Sequence, residues 1–264
     1  MGDDDTADVW SVAERLADAA RAAILPHFRS RSLLTESKGD GFDPVTTADR
    51  AAEQAMRTIL GDLRPDDGIL GEEFPSVKGT SGLTWVLDPI DGTRGFISGT
   101  PTWGVLIALS DANGPKLGII DQPFTQERFA GGFGRATYQG PLGDGALAVR
   151  AGKSLADATL FTTFPEVGTP AEGAAFRNVA KDVQLVRYGT DCYAYALLAL
   201  GQIDLVIEAG LNPYDICAPI AVIEAAGGIV TNWSGEPAHD GGQVLAAATP
   251  ELHTAALERL QGAP

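Results

Sequence analysis

Residues 85–93 read Trp-Val-Leu-Asp-Pro-Ile-Asp-Gly-Thr: an apolar strand that breaks off in two carboxylates, a glycine and a hydroxyl. Asp88 and Asp91 stand three apart across a proline turn, so both can face one point, and Gly92 lets the backbone approach a ligand closely. A site rich in oxygen and poor in nitrogen suits Mg²⁺, which shares its octahedral shell with carboxylates, carbonyls, waters and phosphate oxygens. An isolated Asp-Gly pair would be an ordinary turn; the nine-residue combination points to metal-dependent phosphate chemistry. Upstream, Gly71-Glu72-Glu73-Phe74 follows the short apolar step Ile69-Leu70 and again puts acids at the end of a strand. One of them can be a third ligand, although taken alone such a pair reads as a solvated surface feature.

The chain has 264 residues, 44% of them hydrophobic, enough to bury a substantial core as one large or two tightly joined domains. A net charge of −16 argues against nucleic acid and against anionic membrane surfaces, and favours cationic partners, metals included. There is no run of 18 apolar residues, and the start Met1-Gly-Asp-Asp-Asp is acidic where a signal peptide would be basic, so a cytoplasmic enzyme is expected. Cys192 and Cys217 are expected to be reduced and semi-buried. With three scattered histidines, a histidine-based zinc site is not expected.

Helical spacing of Val9, Val12, Leu16, Ala20 and Ile24 predicts a surface helix over 9–28. A second helix is predicted from Thr47 or Ala48 to Leu60, with Asp49 in its first turn; the turn-rich loop before it would be a flap carrying Lys38. Strands at 104–109, 116–121 and 127–131 read as a meander, making the first half helices on an antiparallel sheet. From Lys153 the pattern alternates: strand 159–164, helix from Ala171, strand 184–187, helix 191–200, strand 204–208. The halves are placed at 1–145 and 146–264 of a single unit, with Gly140–Asp144 as the linker. Asp215 is predicted as the N-cap of an apolar helix with Pro219 in its first turn, a cap worth roughly 1 kcal/mol.

Four motifs occur in order: Asp43-Pro-Val-Thr-Thr-Ala-Asp49, Gly71-Glu-Glu73, Asp88 to Thr93, and Pro213-Tyr-Asp215 followed by Ala225-Ala-Gly-Gly228. With them the chain resembles the inositol monophosphatase family from residue 9 to 260. The resemblance implies a layered αβαβα sandwich, part α+β and part α/β, and two to three Mg²⁺ ions per active site. Glu72, Asp88 and the carbonyl of Ile90 would hold one ion; Asp88, Asp91 and Asp215 a second; a third would sit near Glu72. Glu72, Asp49 and Thr93 would be the catalytic set, with Thr93, oriented by Asp49, positioning the attacking water. Backbone N–H groups of Gly92 and Thr93 would cradle phosphate, Lys38 would reach over the site, and the family implies a homodimer.

The stretches Asp88 to Gly99, Gly118 to Phe124 and Arg187 to Tyr195 look most like the histidinol-phosphate phosphatase branch, which hydrolyses L-histidinol phosphate to L-histidinol. That resemblance puts Gly189-Thr190-Asp191 and Glu208 around the alcohol part of the ester. Carboxylates at Asp191 and Glu208 would pair with an ammonium or imidazolium, which inositol phosphate lacks; capping of the following helix is the other reading of Asp191. Arg187 and Arg94 would contact phosphate, balance the acids, or do neither. Gly95 stands where many relatives have a bulkier residue, and the Asn212-Pro213-Tyr214 approach to Asp215 differs from the Trp-Asp of the inositol enzymes. The competing readings are an inositol-1-phosphate phosphatase, an adenosine 3′,5′-bisphosphate phosphatase, and a binding module on this fold.

Overall fold

The structure, a computed structural model, describes residues 3–31, 35–37 and 44–262. Helix α1 (Asp3–Ile24) buries Val9, Val12, Leu16, Ala20 and Ile24, the stripe its spacing predicts. It stops four residues short of Phe28 because Leu25 precedes Pro26, where helical backbone is disfavoured. A two-stranded ribbon, β1 (Thr35–Ser37) with β2 (Pro44–Thr46), leads into α2 (Thr47–Leu63). Lys38 lies outside the described residues. Thr46 caps α2 reciprocally: its hydroxyl accepts from Ala48 N–H at 3.1 Å, and Asp49 at the third helical position accepts from Thr46 N–H at 2.8 Å.

Strands β3 (Gly68–Gly71), β4 (Thr84–Asp91), β5 (Gly104–Asp111), β6 (Gly114–Gln122), β7 (Glu127–Gly132), β8 (Arg135–Gln139) and β9 (Gly145–Ala146) form one sheet in that order, with the six-residue α3 (Thr93–Ser98) between β4 and β5. Only the β3–β4 pair is parallel. The turn at 140–143 joins β8 to β9, so the segment read as a linker lies inside this sheet; the chain leaves it at Ala146 and enters the second sheet at Thr159. That second sheet orders β11 (Leu185–Tyr188), β10 (Thr159–Thr162), β12 (Leu205–Leu211), β14 (Gly242–Ala247) and β13 (Ile229–Thr231), parallel around β10 and antiparallel around β14.

The cores fall between layers. Val105, Ile107 and Leu109 of β5 face α1 and α2, while Leu106 and Ala108 face the other way, onto α5 (Asp191–Ala199) and α6 (Pro213–Ala225). Because both faces of the strand are covered, it reads as a continuous apolar run instead of an alternation. The same middle core takes Val206 and Val244 from the second sheet, whose outer face packs Leu205, Ile207 and Leu245 against α4 (Pro170–Ala180) and α7 (Pro250–Gln261). The result is the expected αβαβα sandwich. Cys192 and Cys217 are buried and free, and among the described residues no helix is long and apolar enough to cross a membrane.

Helix α6 lies on β5, β6 and β7 along a seam of glycines. A Cβ on Gly118 would sit 2.4 Å from the carbonyl oxygen of Ala218, and one on Gly131 would sit 2.5 Å from Cα of Val222. Both collisions are with backbone, so neither can be relieved by a side-chain rotation. Gly118→Ala is therefore expected to destabilise the protein by about 1–3 kcal/mol, read as a lower urea midpoint with an unchanged slope; an unchanged midpoint would show that α6 tolerates displacement.

Candidate active site

In a regular strand, residues three apart point to opposite faces. The structure brings Asp88 and Asp91 together with a β-bulge instead of the predicted proline turn: Asp88 pairs with Leu106 and Asp91 with Gly104, so β4 carries one extra residue between them. Asp88, 2% exposed, accepts from Ile90 N–H at 3.0 Å. The Ile90 carbonyl accepts the Thr93 hydroxyl at 3.1 Å. Gly92 ends the bulge with φ 82 and serves as N-cap of α3. Its missing side chain has a second use, since a Cβ there would lie 2.8 Å from Cβ of Asp191.

Parallel pairing of β3 with β4 places Glu72 at the same sheet end as Asp88, close enough for its charge to raise the Asp88 carboxyl. Asp215 arrives from the other side of the sheet. It is the third residue of α6, not its N-cap; Asn212 holds that position, and Asp215 accepts from Asn212 N–H at 2.7 Å. Pro219 consequently falls in the second turn. Asp88, Asp91 and Asp215 each place a carboxylate oxygen within 4.8 Å of the other two. Asp91 is steadied by Cys192 N–H at 2.6 Å, the first turn of α5.

Burial and the surrounding acids hold Asp88 well above the usual carboxylate range: desolvation first, then the charges of Glu72, Asp91 and Asp215. Asp91 is raised by desolvation, then by Asp191 and Asp215. Asp49 is fully buried at the start of α2, and desolvation raises it to about 6. One of its oxygens takes both the N–H and the hydroxyl of Thr46; the other is buried with no hydrogen-bond partner among the described residues. No direct hydrogen bond joins Thr93 to Asp49: the Thr93 hydroxyl donates to the Ile90 carbonyl, and Thr46 takes one oxygen of Asp49.

Next to these acids opens a cavity of about 230 Å³. Asp191, Glu208, Tyr195 and Phe164 line it beside Asp91 and Asp215. Asp191 is the first residue of α5, with Thr190 as N-cap, so the helix-cap reading is set aside. It adopts a left-handed φ of 43, costly for a residue with a side chain. Desolvation raises it to about 6 against the opposing pull of Arg94 and a hydrogen bond with Thr102. Glu208, 6% exposed, accepts from Thr163 N–H at 2.7 Å and the Thr162 hydroxyl at 3.3 Å, yet desolvation still raises it to about 7. Arg94 stacks 5.0 Å from the Phe164 ring. Arg187 does not line the cavity: it is exposed on β11, the edge strand, with β10 between it and β12.

Sequence reasoning missed Tyr195, whose buried hydroxyl has no hydrogen-bond partner and lies in the field of Glu208, Asp91 and Asp215. Its signal was present: Tyr195 follows Asp191 by four residues, one helical turn, on the same face. Phe164 and Thr163 were missed because loop residues after a strand carry no periodicity.

The sequence model of the inositol monophosphatase family matches residues 5–263. The chain belongs to the inositol monophosphatase family. It is 40% identical over 262 residues to the bifunctional phosphatase IMPL2 of Arabidopsis thaliana, covering 95% of this chain and 74% of the relative. With the histidinol-phosphatase of Mycobacterium tuberculosis it shares 35% over 258 residues, 96% of this chain and 98% of that one. A solved inositol monophosphatase from Zymomonas mobilis superposes with a TM-score of 0.86 at 40% identity, covering 99% of this chain and 100% of the other. Family membership thus fixes a phosphatase of small phosphate esters, with relatives of both substrate names.

The donor set fits a hard divalent cation: crowded carboxylates, each destabilised by the others. Carboxylates whose folded-state pKa is raised stabilise the fold at low pH and lose that contribution as pH rises through the raised value. At pH 7 the metal-free cluster therefore opposes folding. Asp88→Asn is expected to make the metal-free protein more stable, and to abolish the rise in Tm that Mg²⁺ gives the wild type. Melts with Mg²⁺ and with EDTA check both; a wild-type Tm indifferent to Mg²⁺ would show that the cluster holds no ion.

Proposed function

We propose that this protein is a Mg²⁺-dependent phosphomonoesterase that hydrolyses L-histidinol phosphate to L-histidinol and phosphate. The observation that carries the substrate is the pair of acids, Asp191 and Glu208, in the cavity beside the metal-type cluster. A polyol offers such a pair only neutral hydroxyls, whereas an amino alcohol bearing an imidazole offers an ammonium and a ring N–H. The Tyr195 hydroxyl adds an unsatisfied polar group on the same wall.

Glu72, Asp88 and the Ile90 carbonyl would hold one ion, and Asp88, Asp91 and Asp215 a second, with room for a third near Glu72. The ions would supply an acidified water and neutralise charge on the phosphate and on the leaving oxygen. The protein does the rest. Thr93, its proton given to Ile90, presents oxygen lone pairs to the water, and the unsatisfied oxygen of Asp49 is the acceptor for a water proton. Backbone N–H groups of Gly92 and Thr93 at the start of α3 would face phosphate oxygens. Asp191, pressed against Gly92, couples the phosphate end of the site to its alcohol end.

Steady-state kinetics with L-histidinol phosphate and inositol 1-phosphate test the reading. The expected result is a preference for histidinol phosphate that falls roughly 10- to 100-fold in Asp191→Ala, the worth of one charged hydrogen bond. Preference for inositol 1-phosphate would keep the chemistry and overturn the substrate.

A pH profile gives a second check. Asp191 and Glu208, raised to about 6 and about 7, must be ionised to hold an ammonium. The ratio of kcat/KM for histidinol phosphate over inositol 1-phosphate, in which titration of the phosphate cancels, is expected to rise with pH through that range. In Glu208→Gln the upper part of the rise should vanish; a rise unaltered by this substitution would remove Glu208 from substrate recognition.

A further inference from the structure

Three residues one helical turn apart, Asp49, Glu53 and Arg57, share a face of α2. Asp49, in the first turn, is the acid read as catalytic and is held by Thr46. Glu53 is also 0% exposed, yet touches none of the clustered acids through a hydrogen bond. Its carboxylate instead holds the segment that carries Glu72. One oxygen accepts from the Glu73 N–H at 2.7 Å; the other accepts from the Phe74 N–H at 3.3 Å and from Arg57 Nε at 2.7 Å. Arg57 in turn donates to the Phe74 carbonyl at 3.0 Å, and its guanidinium lies 5.7 Å from the Phe74 ring.

The contact extends to the residue before Glu72. A Cβ on Gly71 would lie 2.1 Å from Oε1 of Glu53, so the glycine exists where the carboxyl needs room. Gly71, Glu73 and Phe74 are thus all set by one buried carboxylate, while the Ile69–Val77 bridge closes the base of the loop. A buried anion is costly unless its donors are in place. Here the donors are the backbone on the far side of Glu72, so the charge enforces one loop conformation. Glutamine would offer one acceptor oxygen to three donors and turn an N–H₂ toward the rest.

We propose that Glu53 is a positioning residue that fixes the Glu72 carboxylate for divalent metal, acting through the Glu73 and Phe74 amides with Arg57 as its counter-charge. The inference rests on the reading of Glu72 as a metal ligand and is independent of which ester is cleaved.

The test is direct Mn²⁺ binding, by the EPR signal of free ion, to wild type and Glu53→Gln, with Mg²⁺ activation of p-nitrophenyl phosphate hydrolysis alongside. Glu53→Gln is expected to weaken Mn²⁺ affinity about 10- to 100-fold, the usual effect of losing a group that orients a ligand. The Mg²⁺ concentration for half-maximal rate should rise in step, while kcat at saturating Mg²⁺ stays within a few-fold of wild type. Arg57→Met, which touches the loop only through the clamp, should lower the affinity in the same direction and carries the test if Glu53→Gln does not fold. As a control, Arg150→Met breaks the part-buried ion pair with Asp204, just before β12 and away from the acids; it should lower Tm without changing Mn²⁺ affinity. A folded Glu53→Gln that binds Mn²⁺ like wild type, or an equal affinity loss in Arg150→Met, would overturn the inference by making Glu53 a stability residue only. Wild type that binds no Mn²⁺ would instead remove the metal reading itself, and this one with it.

Discussion

The repulsion among buried carboxylates at the end of β4 is the constraint around which the molecule is arranged. Carboxylate oxygens of Asp88, Asp91 and Asp215 lie within 4.8 Å of one another, and Glu72 adds its charge beside Asp88. No isolated stretch of chain would keep such a cluster, because each charge raises the cost of the next. The fold overrides that cost by bringing the acids from three directions on elements that cannot yield. The bulge in β4 supplies two, parallel pairing of β3 supplies Glu72, and α6 supplies Asp215.

Each of those elements is anchored by packing far larger than the repulsion. Helix α6 is apolar on nearly all sides because it lies between two sheets, and the glycine seam on β6 and β7 lets its backbone touch the sheet. Closeness there leaves little freedom for Asp215 to retreat. On the opposite face, Asp121 is fully buried and joins Arg21 of α1 to Arg128 of β7, each at 2.7 Å, so the outer helical layer is tied to the same sheet by charge as well as by contact. The layers are stiff for a reason visible at the site.

What was legible in the sequence followed from periodicity and from residue type. The strands of the meander, α2 with Asp49 in its first turn, and both cavity acids were read from the chain because pattern and chemistry coincide there. Local geometry was less accessible. Asp88 and Asp91 were expected to meet across a proline turn, and meet through an inserted residue in the ladder, which depends on what β5 does opposite. Asp215 was placed one turn element too early because Asn212-Pro213 is itself a complete helix start, with proline at the first helical position. Asp49 was expected to orient Thr93, but the Thr93 hydroxyl donates to the Ile90 carbonyl and Thr46 takes one oxygen of Asp49. Glu53 carried no signal at all: a glutamate within a helix is ordinary until the fold buries it against another segment's amides.

The two ends of the cavity differ in how they treat charge, and the difference bears on what it accepts. At the cluster, like charges face one another, and among the described residues no basic group appears with the causes that shift them, so a metal or a proton relieves them. At the alcohol end, Asp191 feels Arg94, while Glu208 is held by neutral donors from Thr162 and Thr163. With both ionised, two carboxylates against one guanidinium leave one negative charge in excess, sheltered from water. A neutral alcohol would leave that excess unanswered, and an anionic one would add to it. A ligand with a single fixed positive charge matches it, with Phe164 as a flat wall for an aromatic ring. The proposed amino alcohol is the substrate class for which the alcohol end is balanced without further protonation.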